Sequence, residues 1–441
     1  MKIAYITPGS GGTFYCQNCY RDDELLTSLL RLGHDVLKIP MYLPSNMGGT
    51  GGIQKSPVFY GAINVYLREK LPFYRQAPGW MEKIFDSQTL LQIAAKKSGS
   101  TRASGLEDMT MSMLQGEKGH QAEELEHLVR HLRDEVKPDV IHLSNALLLG
   151  LARRLKQETS ATIVCSLQDE NEWVDLMEED YQRRVWDLMA RRGEDVDLFI
   201  TSSRYYADRC RETLRIPAEK LDIIPGGINC QGYEPSPLPF DPPAVGYMCR
   251  MSEYFGLGIL FEAWMRLRKE SRFRDVKLHL TGGYTGDDKK FVNGLLRRAE
   301  EENMHNDIRI WKDFSKPQRI QFLKSLTLLS VPVPEGEAFG AYQYEALAAG
   351  VPVVQPNVGC YPEFIEATSG GVLFEPNTPE RLAEEMAVLL DDPDRVRGMA
   401  AAGRKVVLER FCIQDTALHI TESYRKVIEQ GKSRTGDGGR Q

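Results

Sequence analysis

One strand-to-helix corner in the second half of the chain constrains the fold more than any other stretch. Residues 327–333 are apolar and predict a buried strand, and a short helix is predicted over residues 340–349. Gly350 then supplies the left-handed turn that commonly ends a helix. A second apolar strand, residues 351–355, follows at once. Strand, helix and strand in this order form a βαβ unit, which predicts a parallel sheet with helices packed on it.

Two glutamates stand on either side of the start of this helix. Glu337 lies in the loop before it, and Glu345 lies in its second turn. The unpaired N–H groups and the dipole of a helix N-terminus attract phosphate, and Gly340 lets the backbone approach a ligand closely. A carboxylate in the second turn can accept two hydrogen bonds from a vicinal diol such as ribose. The corner therefore predicts a site for a ligand with hydroxyl and phosphate groups; the alternative is an ordinary solvated helix start.

The N-terminus begins with the same kind of unit. A strand at residues 2–7 runs through a glycine loop into a helix, and a second strand follows at residues 34–40. A dinucleotide-binding loop would need a third glycine where Phe14 stands and an acidic residue near the end of the second strand, so NAD is not expected. What remains is Gly11 and Gly12, whose bare backbone can approach an anionic ligand.

Strands and helices keep alternating through the rest of the first half. Further strands are predicted at residues 58–65, 139–143, 161–167, 198–202 and 221–224, and residues 66–137 are predicted to be mostly helical. Ligands bind beyond the carboxyl ends of parallel strands. His142 and Gln168 both lie at such ends, so both are candidate ligand contacts, although a histidine at a strand end is more often structural.

A proline-rich segment, residues 234–243, precedes a second βα series. It contains five prolines and predicts a stiff, extended linker. Arg250 directly follows the first strand of the new series, residues 245–249. A guanidinium group can bind a diphosphate with two parallel hydrogen bonds, so Arg250 is a candidate phosphate ligand. The alternative is a surface ion pair.

These features predict an α/β protein in five parts. They are a first Rossmann-like domain at residues 1–233, the linker at 234–243, a second Rossmann-like domain at 244–413, a C-terminal helix at 414–430, and a polar, disordered tail at 431–441.

Composition argues against several functional classes. The net charge of −7 at pH 7 is unlike that of a nucleic-acid-binding protein, which normally presents a basic face. No apolar run approaches 18 residues, and the first residues lack the pattern of a signal peptide. We therefore expect a cytoplasmic protein with no spanning helix and no nucleic-acid partner. Peripheral contact with a membrane stays open.

The eight cysteines are scattered, mostly in apolar strands and helices, and we expect them to be reduced cytosolic thiols. Cys16 and Cys19 form a lone Cys-x-x-Cys pattern. A structural zinc site would need a second pair of ligands at suitable spacing, and none is evident. Local packing of the first loop is therefore preferred over a metal or redox role.

The corner sequence resembles that of a known family. Glu337 is followed by Phe339-Gly340, and seven residues separate it from Glu345, which opens the string Glu-Ala-Leu-Ala-Ala-Gly-Val-Pro-Val-Val. This pattern resembles the glutamate–seven–glutamate motif of the retaining glycosyltransferases of family four, and the resemblance extends over nearly the whole chain. It implies the GT-B fold, with two Rossmann-like parallel-sheet domains facing each other across a cleft. The first would lie on the acceptor side and the second would bind the donor.

The resemblance also implies the chemistry. The donor would be a nucleotide-diphosphate sugar, the acceptor an unidentified hydroxyl compound, and no metal or other cofactor would be needed. Glu337 and Arg250 would have the catalytic roles at the transferred sugar and the leaving diphosphate, and Glu345 would hold the ribose. The other implied ligand contacts are the backbone of Phe339, Gly340 and Ala341, the loop residues Gly11 and Gly12, and the side chains of His142 and Gln168.

Two positions depart from the family pattern. Gln168 stands where the family usually carries a histidine facing the sugar, and Phe255 stands where it usually carries a phosphate-binding lysine. Two alternatives therefore stay open. One is a catalytically inactive nucleotide-sugar-binding GT-B protein. The other is a GT-B enzyme of another class, such as a sugar-nucleotide epimerase or a phosphorylase, although no sequence context suggests the lysine that a phosphorylase needs for its pyridoxal cofactor.

Overall fold

The computed structural model describes residues 1–8, 14–41, 54–55 and 106–437. Gly11, Gly12 and the predicted strand at residues 58–65 lie outside the described residues. The chain divides into two compact units. The first unit comprises Met1–Gly12, Asn18–Pro225 and Thr416–Gln441, and the second comprises Thr13–Gln17 and Gly226–Asp415.

The first unit is built on a seven-stranded sheet in the order β3-β2-β1-β4-β5-β6-β7. All of its strand pairs are parallel. The strands are β1 (Lys2–Thr7), β2 (Asp35–Pro40), β3 (Gln54–Lys55), β4 (Val140–Leu143), β5 (Thr162–Ser166), β6 (Leu198–Thr201) and β7 (Leu221–Ile223). The central strands β4 and β6 are buried along their whole length. Continuous apolar strands of this kind are typical of a parallel sheet covered by helices on both faces.

The second unit is built on a six-stranded sheet in the order β10-β9-β8-β11-β12-β13, again with parallel pairs. The strands are β8 (Ala244–Met248), β9 (Lys277–Thr281), β10 (Ile308–Trp311), β11 (Leu328–Leu329), β12 (Val353–Pro356) and β13 (Gly371–Phe374). Its core contains large, fully buried side chains such as Tyr247, Trp264 and Tyr342. The predicted α/β class with parallel sheets is confirmed.

Helices connect the strands in both units. The α-helices are Gln17–Arg31, Glu107–Gln115, Ala122–Arg130, Ala152–Glu158, Asn171–Val174, Glu179–Gly193, Arg204–Thr213, Leu257–Leu267, Lys289–Glu301, Lys316–Lys324, Ala341–Ala348, Tyr361–Thr368, Pro379–Leu390, Pro393–Arg410 and Ile413–Asp437. A π-helical stretch covers His131–Val136. None of the helices in the described ranges is long and apolar enough to cross a membrane.

The strand predicted at residues 327–333 is shorter than expected, because only Leu328–Leu329 forms ladder pairs. Beyond it, side chains take over the hydrogen bonds of the backbone. The Val331 N–H donates to Gln355 Oε1 at 3.0 Å, and Ser330 Oγ donates to the Val354 carbonyl at 2.6 Å. Pro332 has no N–H with which to continue the ladder.

The C-terminal end also differs from the expectation. The last helix spans Ile413–Asp437 and therefore includes most of the stretch predicted to be disordered. Once a helix has formed, each added residue contributes its own hydrogen bond, so polar residues after residue 430 can extend it at little cost. Ser433 Oγ also donates to the Gln430 carbonyl at 2.9 Å.

The expectation that all cysteines are reduced is wrong. Cys230 and Cys412, 182 residues apart, form a disulfide in the second unit. They are brought together by a parallel bridge in which the Ile228 N–H donates to the Phe411 carbonyl and the Ile413 N–H donates to the Ile228 carbonyl. Sequence spacing gives no sign of this contact. Cys16 and Cys19 are also disulfide-bonded, whereas Cys165, Cys210, Cys249 and Cys360 are buried thiols that form no disulfide.

Candidate active site

The helix Ala341–Ala348 is buried at all eight positions, so the interpretation of an ordinary solvated helix start is wrong. Gly340 precedes the helix with a φ of 66°. A Cβ atom at Gly340 would lie 2.5 Å from Gln343 Nε2, the end of a flexible side chain, so the main obstacle to a side chain here is the backbone conformation. Glycine at this position is what allows the loop to turn tightly into the helix.

Glu337 is held in the loop before this helix and is only 2% exposed. Its Oε1 accepts a hydrogen bond from Gln17 Nε2 at 2.8 Å. Its Oε2 accepts from the hydroxyl of Tyr361 at 3.0 Å and from that of Tyr342. The loop itself is fixed from behind, because the Cys360 N–H donates to the Glu337 carbonyl at 3.0 Å. Neighbouring side chains thus orient the carboxylate, and their hydrogen bonds stabilise its negative charge.

Glu345 is bound in a similar way in the second turn and is 3% exposed. Its Oε1 accepts from the Tyr15 hydroxyl at 2.9 Å. Its Oε2 accepts from Arg319 Nε at 2.8 Å and from the Tyr233 hydroxyl at 2.5 Å. Burial alone would raise the pKa of Glu345, but Arg319 and the two phenols hold the pKa below its ordinary value. The carboxylate is therefore ionised at neutral pH.

Gln17 joins the two ends of this corner. Its Nε2 donates to Glu337, and its Oε1 accepts from the backbone N–H of Ala341 at 2.8 Å. The Ala341 N–H belongs to the first turn of the helix, where no intrahelical acceptor is available. The backbone positions proposed to face a ligand are Phe339, Gly340 and Ala341. Of these, Ala341 has an N–H group that lacks an intrahelical acceptor and donates to the Gln17 side chain instead.

Arg250 follows β8 and is engaged with an acidic neighbour. Its Nε donates to Asp288 Oδ2 at 2.9 Å, and its Nη2 donates to Asp288 Oδ1 at 3.2 Å and to Thr285 Oγ1 at 3.1 Å. Burial would raise the pKa of Asp288, but the guanidinium and Thr285 keep it below its ordinary value. The Phe14 ring lies 5.2 Å from the guanidinium carbon. Nη1 makes no hydrogen bond to any described residue.

Phe255, where the resembling family carries a lysine, is a core residue. It is 9% exposed, and its ring lies edge to face with the Tyr254 ring, with the two ring centroids 5.1 Å apart. Its carbonyl accepts from the Tyr247 hydroxyl at 3.1 Å. Lys312, the first residue after β10, is exposed.

In the first unit, Gln168 contacts a buried carboxylate. Gln168 Nε2 and the Tyr5 hydroxyl both donate to Asp22 Oδ1 at 3.0 Å. Burial raises the pKa of Asp22 to about 6. The loop that carries Gln168 is organised by Glu170, which accepts from the backbone N–H groups of Ala146 and Gln168.

His142 is fully buried on β4. Nδ1 lies 2.5 Å from the Tyr424 hydroxyl and Nε2 lies 2.8 Å from Ser166 Oγ, so both ring nitrogens are occupied within the first unit. Burial lowers the pKa of His142 to about 3, which keeps the ring neutral. This placement favours the structural role over a ligand contact.

Several site residues could not be found from the sequence. Tyr15 and Gln17 lie just after the glycine loop, but their partners are 330 and 320 residues away. Arg319 and Asp288 carry no recognisable spacing relative to Glu345 and Arg250. For metals, no group of three or more potential ligands occurs in the part of the chain that the structure describes.

Two family models match the chain. One, glycosyl transferases group 1, matches residues 234–406. The other, glycosyltransferase family 4, matches residues 113–231. The matches adjoin one another and together cover about two thirds of the chain.

Curated relatives include D-inositol 3-phosphate glycosyltransferases. The protein from Segniliparus rotundus is 27% identical over 244 residues, which is 53% of each chain. The protein from Catenulispora acidiphila is 27% identical over 249 residues, 56% of this chain and 59% of its own. The chain thus matches only about half the length of these relatives.

Solved structures are similar over nearly the whole chain. Sucrose-phosphate synthase from Thermosynechococcus elongatus has a TM-score of 0.70 at 18% identity, covering 98% of this chain and 100% of its own. HepE from Anabaena, in complex with UDP and glucose, has a TM-score of 0.69 at 17% identity, covering 96% and 99%. This likeness confirms the predicted GT-B fold. The two family models, which match adjoining stretches over about two thirds of the chain, show that it belongs to the GT4-type glycosyltransferases.

Proposed function

We propose that this protein transfers a sugar from a nucleotide-diphosphate sugar to a hydroxyl group of an acceptor, with retention of configuration. The observation that carries the proposal is the placement of Glu337 and Glu345 around the first turn of the helix Ala341–Ala348. Two oriented carboxylates with a helix N-terminus between them suit a ligand that presents hydroxyls and phosphate. A UDP-sugar is the first donor to test, because HepE was crystallised with UDP and with UDP-glucose.

Each residue has one role in this proposal. Glu345 binds the ribose hydroxyls, and Glu337 with the Ala341 N–H binds hydroxyls of the transferred sugar. Arg250 and the helix N-terminus stabilise the diphosphate as negative charge develops on it. The bond between the anomeric carbon and the phosphate oxygen breaks while the acceptor oxygen attacks from the same face. The acceptor proton passes to the leaving phosphate, so no side-chain base is required.

The reaction is proposed to need no divalent ion, because Arg250 and the helix N-terminus can carry the phosphate charge. Activity should then survive extensive chelation. Loss of activity that manganese or magnesium restores would contradict this part of the proposal.

The decisive experiment measures nucleoside diphosphate release from a panel of nucleotide sugars, with and without candidate saccharide, glycolipid and small-molecule acceptors. Glu345→Gln should weaken UDP binding by about 1.5–3 kcal/mol, the range for a hydrogen bond to a charged group. Glu384→Gln, at an exposed helical position, is the matched control. Unchanged affinity in a folded Glu345→Gln protein would contradict the ribose assignment.

A second candidate is a nucleotide-sugar-binding protein without transferase activity. It is favoured by two observations: Phe255 is buried where a cation is expected, and Asp288 neutralises Arg250. Donor binding measured by calorimetry, together with no release of nucleoside diphosphate for any acceptor, would support this candidate over the first.

A cytoplasmic location is also part of the proposal, with the nucleotide sugar as the small-molecule partner. Fractionation of the source cells, with the protein detected by antibody in each fraction, tests this location. Recovery from an oxidising compartment, where disulfides such as Cys230–Cys412 usually persist, would contradict it.

A further inference from the structure

The segment of residues 14–17 is packed into the second unit although its neighbours on both sides in the sequence belong to the first. Its backbone is fixed beside the loop after β9. The Tyr15 N–H donates to the Gly282 carbonyl at 2.7 Å, and Phe14 forms an antiparallel bridge with Gly283. The segment is therefore held by backbone contacts as well as by its side chains.

The side chains of this segment reach the groups of the second unit that the proposed function assigns to the donor. Tyr15 donates to Glu345, and Gln17 bonds both Glu337 and the Ala341 N–H. The Phe14 ring covers the guanidinium of Arg250. Residues 14–17 thus engage, one by one, the proposed ribose, sugar and diphosphate contacts.

The bonds made by Tyr15 and Gln17 have the chemistry of a sugar hydroxyl. The phenol presents one O–H to Glu345 Oε1, as a ribose hydroxyl would. The carboxamide donates to Glu337 Oε1 and accepts from the Ala341 N–H. A sugar hydroxyl, which is both donor and acceptor, can make the same pair of contacts.

The other partners of the two carboxylates are poor candidates for replacement by a ligand. Tyr342 and Tyr361 are fully buried on helices of the second unit. Arg319 forms a buried ion pair with Glu345, and breaking such a pair is far more unfavourable than losing one neutral hydrogen bond. Among the neutral partners, Tyr15 and Gln17 lie on one short segment, so their bonds are the ones that we expect a donor to displace together.

We propose that Tyr15 and Gln17 are donor-site residues whose bonds to Glu345, Glu337 and the Ala341 N–H are exchanged for bonds from hydroxyls of the nucleotide sugar. The inference rests on the proposed function. It assigns Oε1 of Glu345, Oε1 of Glu337 and the N–H of Ala341 as the atoms that contact the donor. It also means that the apparent affinity for the donor is lowered by the small fraction of protein in which residues 14–17 have moved away.

The test is UDP binding by calorimetry to the full chain, to Tyr15→Phe, to Gln17→Ala and to the double variant. Each substitution removes bonds that form only while residues 14–17 lie on the second unit, so each should tighten UDP binding roughly tenfold. The matched control is Tyr181→Phe with Gln182→Ala. On the first unit, Tyr181 donates to the Asp108 carboxylate as Tyr15 does to Glu345, and the Gln182 carboxamide donates to two backbone carbonyls.

Hydrogen exchange gives a second measurement on the unmodified protein. Saturating UDP should speed exchange of the Tyr15 amide, because its bond to Gly282 opens with the segment. Tighter UDP binding by the variants, together with faster hydrogen exchange of the Tyr15 amide, supports the proposal that donor hydroxyls replace Tyr15 and Gln17. UDP binding that is equal or weaker in the variants overturns it and leaves the proposed function standing, with residues 14–17 as permanent supports. Absence of binding by every form, to UDP and to the other nucleoside diphosphates of the panel, overturns both.

Discussion

Arg319 and Glu345 form a buried ion pair in the second unit, with Nε and Oε2 2.8 Å apart. Both side chains are at most 5% exposed, and Tyr15 and Tyr233 complete the coordination of the carboxylate. Such a pair fixes the direction and the ionisation of the group that we propose to bind ribose. Its stability depends on both partners remaining charged.

Arg319→Leu should destabilise the protein by about 3–5 kcal/mol, because it leaves Glu345 buried without a counter-charge. The pKa of Glu345 now lies below its unfolded value, so its contribution to stability is present above the unfolded pKa and is lost as pH falls through the folded pKa. In the variant, burial would raise that pKa instead. The stability difference between wild type and variant should therefore widen as pH rises.

Urea unfolding at pH 5 and pH 8 measures this difference. Arg319→Lys, which keeps the charge, should lose less stability than Arg319→Leu. Arg381→Leu removes a partly exposed pair with Glu385 and should change stability by no more than about 1 kcal/mol. A difference between Arg319→Leu and wild type that is the same at both pH values would show that Glu345 is not held ionised by Arg319.

Asp22→Asn should make folding stability less dependent on pH. Burial raises the pKa of Asp22 to about 6, above its unfolded value, so the folded protein binds the proton more tightly and loses stability as pH rises from about 4 to 6. Asparagine resembles the protonated acid and can still accept from Tyr5 and Gln168. The variant should gain up to about 3 kcal/mol over wild type between pH 4 and pH 7.

Denaturant midpoints across that range provide the measurement for Asp22→Asn. Asp35→Asn, at an exposed position on the same unit, should leave the pH profile of wild type unchanged. Parallel profiles for wild type and Asp22→Asn would mean that Asp22 titrates normally.

Cys230→Ser should lower stability by about 2–4 kcal/mol, because the disulfide to Cys412 restricts the unfolded chain over a separation of 182 residues. Thermal unfolding with and without a reductant checks the cause. Reductant should bring wild type close to Cys230→Ser and should still destabilise Cys16→Ser, in which the Cys230–Cys412 bond is intact. A wild type that is insensitive to reductant would contradict a stabilising role for this bond.

The sequence predicted much of the fold and one side of the candidate site. The helix expected at residues 340–349 is observed as Ala341–Ala348, because glycine at position 340 and the apolar strands around it define the corner locally. The residues that hold the two carboxylates were not predictable. Tyr15 and Gln17 reach them across more than 300 residues, and no periodicity or spacing links such distant positions. Likewise, Cys230 and Cys412 come together through a single β-bridge between Ile228 and Cys412, which no sequence pattern indicates.

The structure also changes the interpretation of Arg250 and Phe255. From the sequence, Arg250 is a candidate phosphate ligand with a surface ion pair as the alternative, and Phe255 stands where the resembling family usually carries a lysine. In the structure, Asp288 already binds Arg250, and Phe255 packs in the core beside Tyr254. Side-chain partners of this kind follow from tertiary packing, which local sequence patterns do not encode.

Phe255→Lys separates the transferase from the inactive binding protein. Because the side chain is 9% exposed, a lysine there would bury its charge or displace its neighbours, and we expect a loss of about 3 kcal/mol, similar to a large core truncation. Phe255→Leu keeps the position apolar and should lose less. If wild type is an active transferase, Phe255→Lys should release no more nucleoside diphosphate than wild type does. Turnover by Phe255→Lys alone, across the same panel of donors and acceptors, would reverse the choice and identify the wild-type chain as a binding protein that lacks one leaving-group cation.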